Sequence, residues 1–327
     1  ILSGHSKGIE CCAINPDAKR IVSVDRKELS IWSLATLSRI SSFSLNDRWI
    51  TQCSLPWNSS QIVVPLSNDI LSIRESRNGA ELTKLKGHSE SFTYCKVTAN
   101  GRRMLTASVV TDYSIRIWDL ATFSETAALY GHTSMVTCCD ISLDSSLVVS
   151  GSADQTVKIW DMKTLLPVAD LLGHKDPLIS CKISPDKRFV LSADETTLIL
   201  WSLKTRKKLL VFNSHFKSLF EDQGHHADLY SISADWKFLC AVENYQNLKI
   251  WDLHTRKLLY CFRYERMITS CALCKCSKKA VIGFFGGDVV VVALKSGAEL
   301  LRIADNMKGA ISCHFSDNCD YIISCCA

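Results

Sequence analysis

Residues 131–161 read GHTSMVTCCDISLDSSLVVSGSADQTVKIWD, a succession of short strands and turns. Met135–Ser142 mixes apolar and polar positions, and Leu143-Asp144-Ser145-Ser146 supplies a turn. Leu147–Ser150 reads as a second strand, Gly151–Gln155 as a turn and Thr156–Trp160 as a third strand. Leu165–Leu172 makes a fourth. Runs of about four to eight residues bounded by Gly, Asp and Ser indicate an all-β array.

Outward from this stretch the pattern repeats. Gly-His opens and Trp closes four units: Gly4-His5 to Trp32, Gly87-His88 to Trp118, Gly131-His132 to Trp160 and Gly173-His174 to Trp201. Trp251 closes an irregular copy. Arg74 and Val292 hold the Trp position in two degenerate ones. Successive closing positions are then separated by 42, 44, 42, 41, 50 and 41 residues. A sustained period of this size marks a repeat architecture whose neighbouring units bury each other's faces. Leu198–Trp201 and Val289–Val292 are apolar on both strand faces, which suits a sheet packed between two others.

Composition agrees with a folded, water-exposed chain. Of 327 residues, 47% are hydrophobic and 22% charged, too apolar for a disordered chain. No run of 18 apolar residues is present to span a membrane as a helix. The net charge of +5 comes from scattered basic residues, without the single-face clustering that nucleic acid demands. The chain starts at Ile1 without a signal-peptide pattern, so it reads as a piece of a longer protein in a reducing compartment, the cytoplasm.

Gly-His openings combined with Trp118-Asp119, Trp160-Asp161 and Trp251-Asp252 resemble the WD-repeat family of β-propellers over essentially the whole chain. The resemblance implies four-stranded blades around a channel and a scaffold that binds proteins without chemistry of its own. The expected blades are 4–45, 46–86, 87–130, 131–172, 173–212, 213–262, 263–303 and a partial 304–327 within one propeller over 1–327. Ile311–Ser316 and Tyr321–Cys325 read as the strands of the last, with Ile1–Ser3 closing the ring. Eight blades with the last incomplete is the favoured count, and seven plus an overhang the alternative. The family's buried tetrad of His, Ser or Thr, Asp and Trp maps onto His132, Ser150 or Ser152, Asp154 and Trp160, and onto His88, Thr106 or Ser108, Asp112 and Trp118. It also maps onto His5, Ser23, Asp25, Trp32 and onto His174, Ser192, Asp194, Trp201, with the choice of aspartate open. Recurrence in four copies argues against a catalytic Ser-His-Asp triad, and no other catalytic constellation is present.

Two further resemblances bear on the partner. The degenerate, cysteine-rich repeats look like the C-terminal sensor arrays of NACHT or NB-ARC nucleotide-binding switch proteins. Val148–Asp154 with Ile159–Lys163 resembles the box by which some WD-repeat proteins join cullin-type ubiquitin ligases, although Lys163 stands where that box ends in Arg. The resulting expectation is a non-enzymatic scaffold, the regulatory or sensor module of a larger protein, with a ligase substrate receptor as the alternative. Its partners are other proteins or other domains of the parent chain, with no nucleic acid, membrane, small-molecule substrate or cofactor.

Cys12, Cys53, Cys95, Cys139, Cys181, Cys271 and Cys313 share one repeat position, which predicts small buried side chains on inner strands. Cys274 and Cys276 fall on the following turn and read as exposed thiols; no metal site is expected, because four ligands would have to converge. Candidate protein contacts are the aromatic and apolar residues of loops before the inner strand and between second and third strands. They are Trp49, Phe92, Tyr113, Met135, Phe216, Phe220, Tyr245, Phe284 and Phe285. Phe216 and Phe220 stand out because Asn213–Leu229 carries the excess length of the 50-residue interval.

Overall fold

The computed structural model describes residues 4–5, 9–14, 19–25, 27–44, 61–66, 70–86, 92–98, 101–108, 112–213, 229–304, 310–315, 319 and 321–326. Contacts divide the chain into two compact units, Ile1–Phe212 and Asn213–Ala327.

The first unit contains five antiparallel sheets. Sheet one is β1 (Ile9–Ile14), β2 (Arg20–Asp25), β3 (Glu28–Ser33) and β4 (Ser38–Ser44). Sheet two is β5 (Gln61–Pro65), β6 (Ile70–Glu75) and β7 (Glu81–Lys86); residues 45–60, ahead of it, lie outside the described residues, and with them Cys53. Sheet three is β8 (Phe92–Val97), β9 (Arg103–Ser108), β10 (Ile115–Asp119) and β11 (Ser124–Leu129). Sheet four is β12 (Val136–Ile141), β13 (Leu147–Ser152), β14 (Thr156–Asp161) and β15 (Pro167–Leu172). Sheet five is β16 (Leu178–Ile183), β17 (Phe189–Asp194), β18 (Thr197–Ser202) and β19 (Lys208–Asn213).

The second unit holds sheet six, β20 (Tyr230–Ile232), β21 (Phe238–Glu243), β22 (Asn247–Asp252) and β23 (Lys257–Arg263). Sheet seven is β24 (Ile268–Leu273), β25 (Lys279–Phe284), β26 (Val289–Ala293) and β27 (Glu299–Ile303). A two-stranded sheet follows, β28 (Ala310–Phe315) and β29 (Ile322–Cys326). The count of eight blades is therefore not supported. Among the described residues, seven sheets of three or four strands, with the β28–β29 pair as an overhang, fit the seven-blade alternative. The proposed closing residues Ile1–Ser3 lie outside the described residues.

The repeat phase is visible in the strand register. Trp32 pairs with Ile21, Arg74 with Ile62, Trp118 with Met104, Trp160 with Val148, Trp201 with Val190, Trp251 with Leu239 and Val292 with Ala280. The degenerate copies thus keep the geometry after losing the indole. Arg74 fills the place of Trp by donating from Nε to Ser72 at 3.1 Å, from one terminal nitrogen to the Gly79 carbonyl at 3.1 Å and from the other to Glu81 at 3.1 Å.

Core side chains lie between sheets. Cys138, Val149, Val157 and Leu171 of sheet four pack on Leu178, Cys181, Val190 and Trp201 of sheet five. Leu105, Ala107, Ile117 and Leu129 of sheet three meet Val136, Cys139, Val148 and Trp160 on the other face of sheet four. Both faces of one sheet are buried, which explains strands without alternation, such as the four consecutive buried residues Leu198–Trp201. Cys95, Cys139, Cys181, Cys271 and Cys313 are buried, while Cys12 is half-buried.

One turn boundary differs from the sequence reading. Gly151 and Ser152 continue β13 instead of opening the turn. Gly151 pairs with Cys138, and a Cβ on it would lie 2.7 Å from Cys138 Sγ and 2.8 Å from Leu178 Cβ. The glycine serves close sheet-to-sheet approach, a role that mimics turn composition.

Candidate functional site

In three copies the polar residues converge inside a sheet. His132 Nδ1 lies 2.7 Å from Asp154 Oδ2 and Nε2 lies 2.8 Å from Ser150 Oγ, which accepts the Trp160 indole N–H at 2.8 Å. His174 has the same partners, Asp194 at 2.6 Å and Ser192 at 2.6 Å, and Trp201 donates to Ser192 at 2.7 Å. His5 lies 2.9 Å from Asp25 and 2.6 Å from Ser23, and Trp32 donates to Ser23 at 2.7 Å. Ser152 instead donates to the Ser134 carbonyl at 3.0 Å. In sheet three, Trp118 donates to Thr106 at 2.9 Å, and Asp112 pairs with Arg116 at 3.2 Å. His88 lies outside the described residues, as does the side chain of Ser108.

Each aspartate also accepts backbone N–H groups of its own turn. Asp25 accepts from Lys27 at 2.7 Å and Glu28 at 2.6 Å; Asp154 accepts from Thr156 at 2.9 Å. Burial raises the Asp154 carboxyl, but bonds from Thr156, His132 and Thr133 outweigh it and leave it below the usual range. Burial pushes His132 down more than Asp154 raises it. The ring is then neutral, donating through Nδ1 to the aspartate and accepting the serine hydroxyl at Nε2. The serine is consumed twice, by ring and indole, so it is a structural bridge with no lone nucleophile. Gly131 precedes the histidine with φ 149°, and a Cβ there would meet the Trp160 ring at 3.2 Å. Gly4 and Gly173, before His5 and His174, share this positive φ at 153° and 141°, a backbone conformation that favours glycine.

The expected contact residues are distributed unevenly. Trp49, Phe216 and Phe220 lie outside the described residues, and Phe92 opens β8 with its side chain outside them. Tyr113, Met135 and Tyr245 are half-buried. Phe284 is a correction: it is 2% exposed, stacked edge-on against Tyr264 with centroids 5.0 Å apart, and so belongs to the core. Its neighbour Phe285 is 55% exposed. In the second unit, the Tyr245 carbonyl accepts the Ile268 N–H at 2.6 Å and Phe285 N–H donates to the Met267 carbonyl at 2.8 Å. These bonds tie the two aromatic turns to the segment between sheets six and seven.

A groove that the sequence reading missed lies at the other strand ends, between sheets four and five. Its volume is about 430 Å³. Leu147, Ile159, Val168, Phe189 and Leu203 supply apolar lining, and Lys187, Arg188, Lys204 and Arg206 supply cationic edges. The cations come from two separate turns that the Phe189–Ser202 pairing brings side by side. Lys204 and Arg206 stand in the basic stretch Lys204-Thr205-Arg206-Lys207-Lys208, but nothing local along the chain places them beside Lys187 and Arg188. Lys187 is held by Asp144 at 2.5 Å and Arg188 by Asp186 at 2.5 Å. Among the described residues no ion pair engages Lys204 or Arg206.

The turn thiols also differ from expectation. Cys274 is buried, and burial pushes its thiol up to about 11. Cys276 is exposed; burial raises its thiol, but bonds with Cys274 and Cys319 together outweigh this and set it below the ordinary value. Only one of the two is an exposed thiol.

Comparison with known proteins names the repeat. The WD domain, G-beta repeat, matches residues 1–33, 79–119, 123–161 and 166–202. The chain carries WD repeats. It is 24% identical over 156 residues to guanine nucleotide-binding protein subunit beta-1 of Caenorhabditis briggsae, covering 46% of this chain and 45% of that protein. It is 31% identical over 134 residues to WD repeat-containing protein pop1 of Schizosaccharomyces pombe, covering 35% of this chain and 17% of that protein. The match spans less than half the length of either curated relative. These four matches lie before residue 203, yet sheets six and seven keep the same register, so their repeats have diverged in sequence more than in geometry. WD-repeat propellers generally act as scaffolds for protein interaction.

Proposed function

We propose that this chain is the non-enzymatic regulatory module of a larger cytoplasmic protein, and that it binds a partner protein through the groove between sheets four and five. The observation that carries this reading is the apolar lining of Leu147, Ile159, Val168 and Phe189 beneath exposed Lys204 and Arg206. Such a surface fits an extended partner segment that alternates acidic and large apolar side chains. Apolar side chains would gain about 25 cal/mol per Å² buried. The cations would favour the acidic partner and speed its approach more than they add affinity. The tetrads support a non-enzymatic role, since their polar groups are spent on one another within each sheet. Among the described residues no helix is long and apolar enough to cross a membrane. Tyr245 and Phe285 of the second unit are a further candidate contact.

The test is affinity capture of partners with the unaltered chain and with Lys204→Glu/Arg206→Glu, followed by binding of an acidic apolar peptide in increasing salt. Loss of capture and of peptide binding in the double variant, with an unchanged unfolding midpoint, is the expected result. Equal capture by both proteins would reject the groove as the binding site.

A further inference from the structure

Sheets four and five are joined at their first turns by a small polar network. Ser142 Oγ donates to Asp144 at 2.7 Å and accepts the backbone N–H groups of Ser146 and Leu147 at 3.1 and 3.0 Å. Asp144 in turn holds Lys187, which occupies the left-handed position of the next sheet's turn with φ 54°. The same three places recur where sheet seven meets the β28–β29 pair, 132 residues further on, and each carries a cysteine: Cys274, Cys276 and Cys319. Cys319 has the left-handed φ of 62°. The backbone bonds are preserved, with Lys278 and Lys279 N–H groups donating to Cys274 Sγ at 3.4 and 3.1 Å. An acid, its serine support and the lysine across the sheet boundary have been replaced together by three sulfurs.

The replacement leaves three thiols converging on one point. All three Sγ atoms lie within 4.8 Å of one another, and Cys274 and Cys276 are 2.9 Å apart. A thiolate–metal bond of about 2.3 Å sets sulfur atoms roughly 3.8 Å apart around a tetrahedral ion. The two nearer sulfurs would therefore separate by under about 1 Å, within the freedom of their side-chain torsions. The Cys276 backbone N–H donates to Cys319 Sγ at 3.3 Å. Three N–H groups thus aim at two of the sulfurs, the outer-shell arrangement that orients thiolate ligands. The lysines at 275, 278 and 279 offset part of the negative charge. Exposed Cys276 provides a path of entry, and buried Cys274 gives one ligand shielded from solvent.

We propose that Cys274, Cys276 and Cys319 form a three-thiolate site for a thiophilic d10 cation, either Zn(II) with solvent as fourth ligand or three-coordinate Cu(I). Soft sulfur donors without carboxylate or imidazole select these ions over Mg(II), Ca(II) or Mn(II). The bound ion would pin the sheet-seven turn to the β28–β29 turn, as the Asp144–Lys187 pair pins sheets four and five. Binding transfers thiol protons to solvent as the metal–sulfur bonds form, with no change of oxidation state.

The test uses the whole chain, reduced and freed of metal. It is titrated with Zn(II) against a chromophoric chelator and, without oxygen, with Cu(I) against a cuprous chelator. Co(II) serves as a probe through its thiolate charge-transfer band. One ion per chain is expected, with affinity falling more than about 100-fold in Cys276→Ser and in Cys319→Ser and unchanged in Cys261→Ser. Cys276→Asp/Cys319→Lys restores the ion pair of sheets four and five, so it should fold normally while losing the thiolate band. Stronger binding of Zn(II) than Cu(I), or the reverse, identifies the ion. Binding unaffected by the Cys276 and Cys319 variants, or absence of one-to-one binding by either ion, would overturn the site.

Discussion

Trp160 donates its indole N–H to Ser150 Oγ at 2.8 Å, and both residues are fully buried. The bond joins the third strand of sheet four to the second, while the ring itself packs against sheet three. One side chain therefore supports the sheet's own strand pairing and its contact with a neighbour.

Trp160→Ala should destabilise the first unit by about 3–5 kcal/mol through lost core volume. His132→Ala should cost less, roughly 1–3 kcal/mol, because Ser150 and Asp154 are left short of a partner. Denaturant titration of each single variant and of the double variant checks this. The two effects should fall short of additive, since both residues share Ser150.

Gly151→Ala should destabilise by about 1–3 kcal/mol, the range for overpacking. Its Cβ would meet Cys138 Sγ and Leu178 Cβ, and the second contact belongs to the next sheet. Gly151→Ala combined with Cys138→Ala should recover only part of the loss. A thermal midpoint unchanged by Gly151→Ala would show that sheets four and five are not so closely apposed.

Acid should weaken the fold in two stages. His132 has its proton affinity lowered in the folded state, so the unfolded chain takes up the proton first as pH falls below about 6.5. The stability associated with a neutral ring is present above that pH and is lost below it. Asp25, Asp154 and Asp194 are also lowered, so their contribution is present above the ordinary carboxylate range near 4 and declines as pH falls through it. Urea midpoints measured from pH 8 to about pH 2 should fall with pH through both stages, and His132→Gln should flatten the upper one.

A small thiol reagent should modify Cys261 and Cys276 of the native, metal-free chain well before Cys139, Cys181 or Cys274. The first two are exposed and the last three buried. Burial also holds Cys139 and Cys181 well above the ordinary thiol range, which starves them of the reactive thiolate. Mass spectrometry of partially labelled protein reads the order. Early modification of Cys139 or Cys181 would contradict their inter-sheet placement.

The repeat period, the strand-and-turn order and the identity of three converging tetrads follow from the amino-acid sequence. Each rests on local spacing: Gly-His at one end, Trp at the other, and turn residues whose side chains bond to their own backbone. The structure chose Ser150 over Ser152: both hydroxyls lie on one face of β13, but only Ser150 is at the level of the indole, while Ser152, at the strand end, donates to the Ser134 carbonyl. It moved Phe284 from contact candidate to core, since Phe284 ends β25, which is buried on both faces, and only Phe285 in the turn beyond it emerges. The groove between sheets four and five and the meeting of Cys274, Cys276 and Cys319 arise from turns more than ten residues apart, or more than forty for Cys319. Strand pairing sets the first and sheet-to-sheet packing the second, and neither is a property of any local stretch of chain.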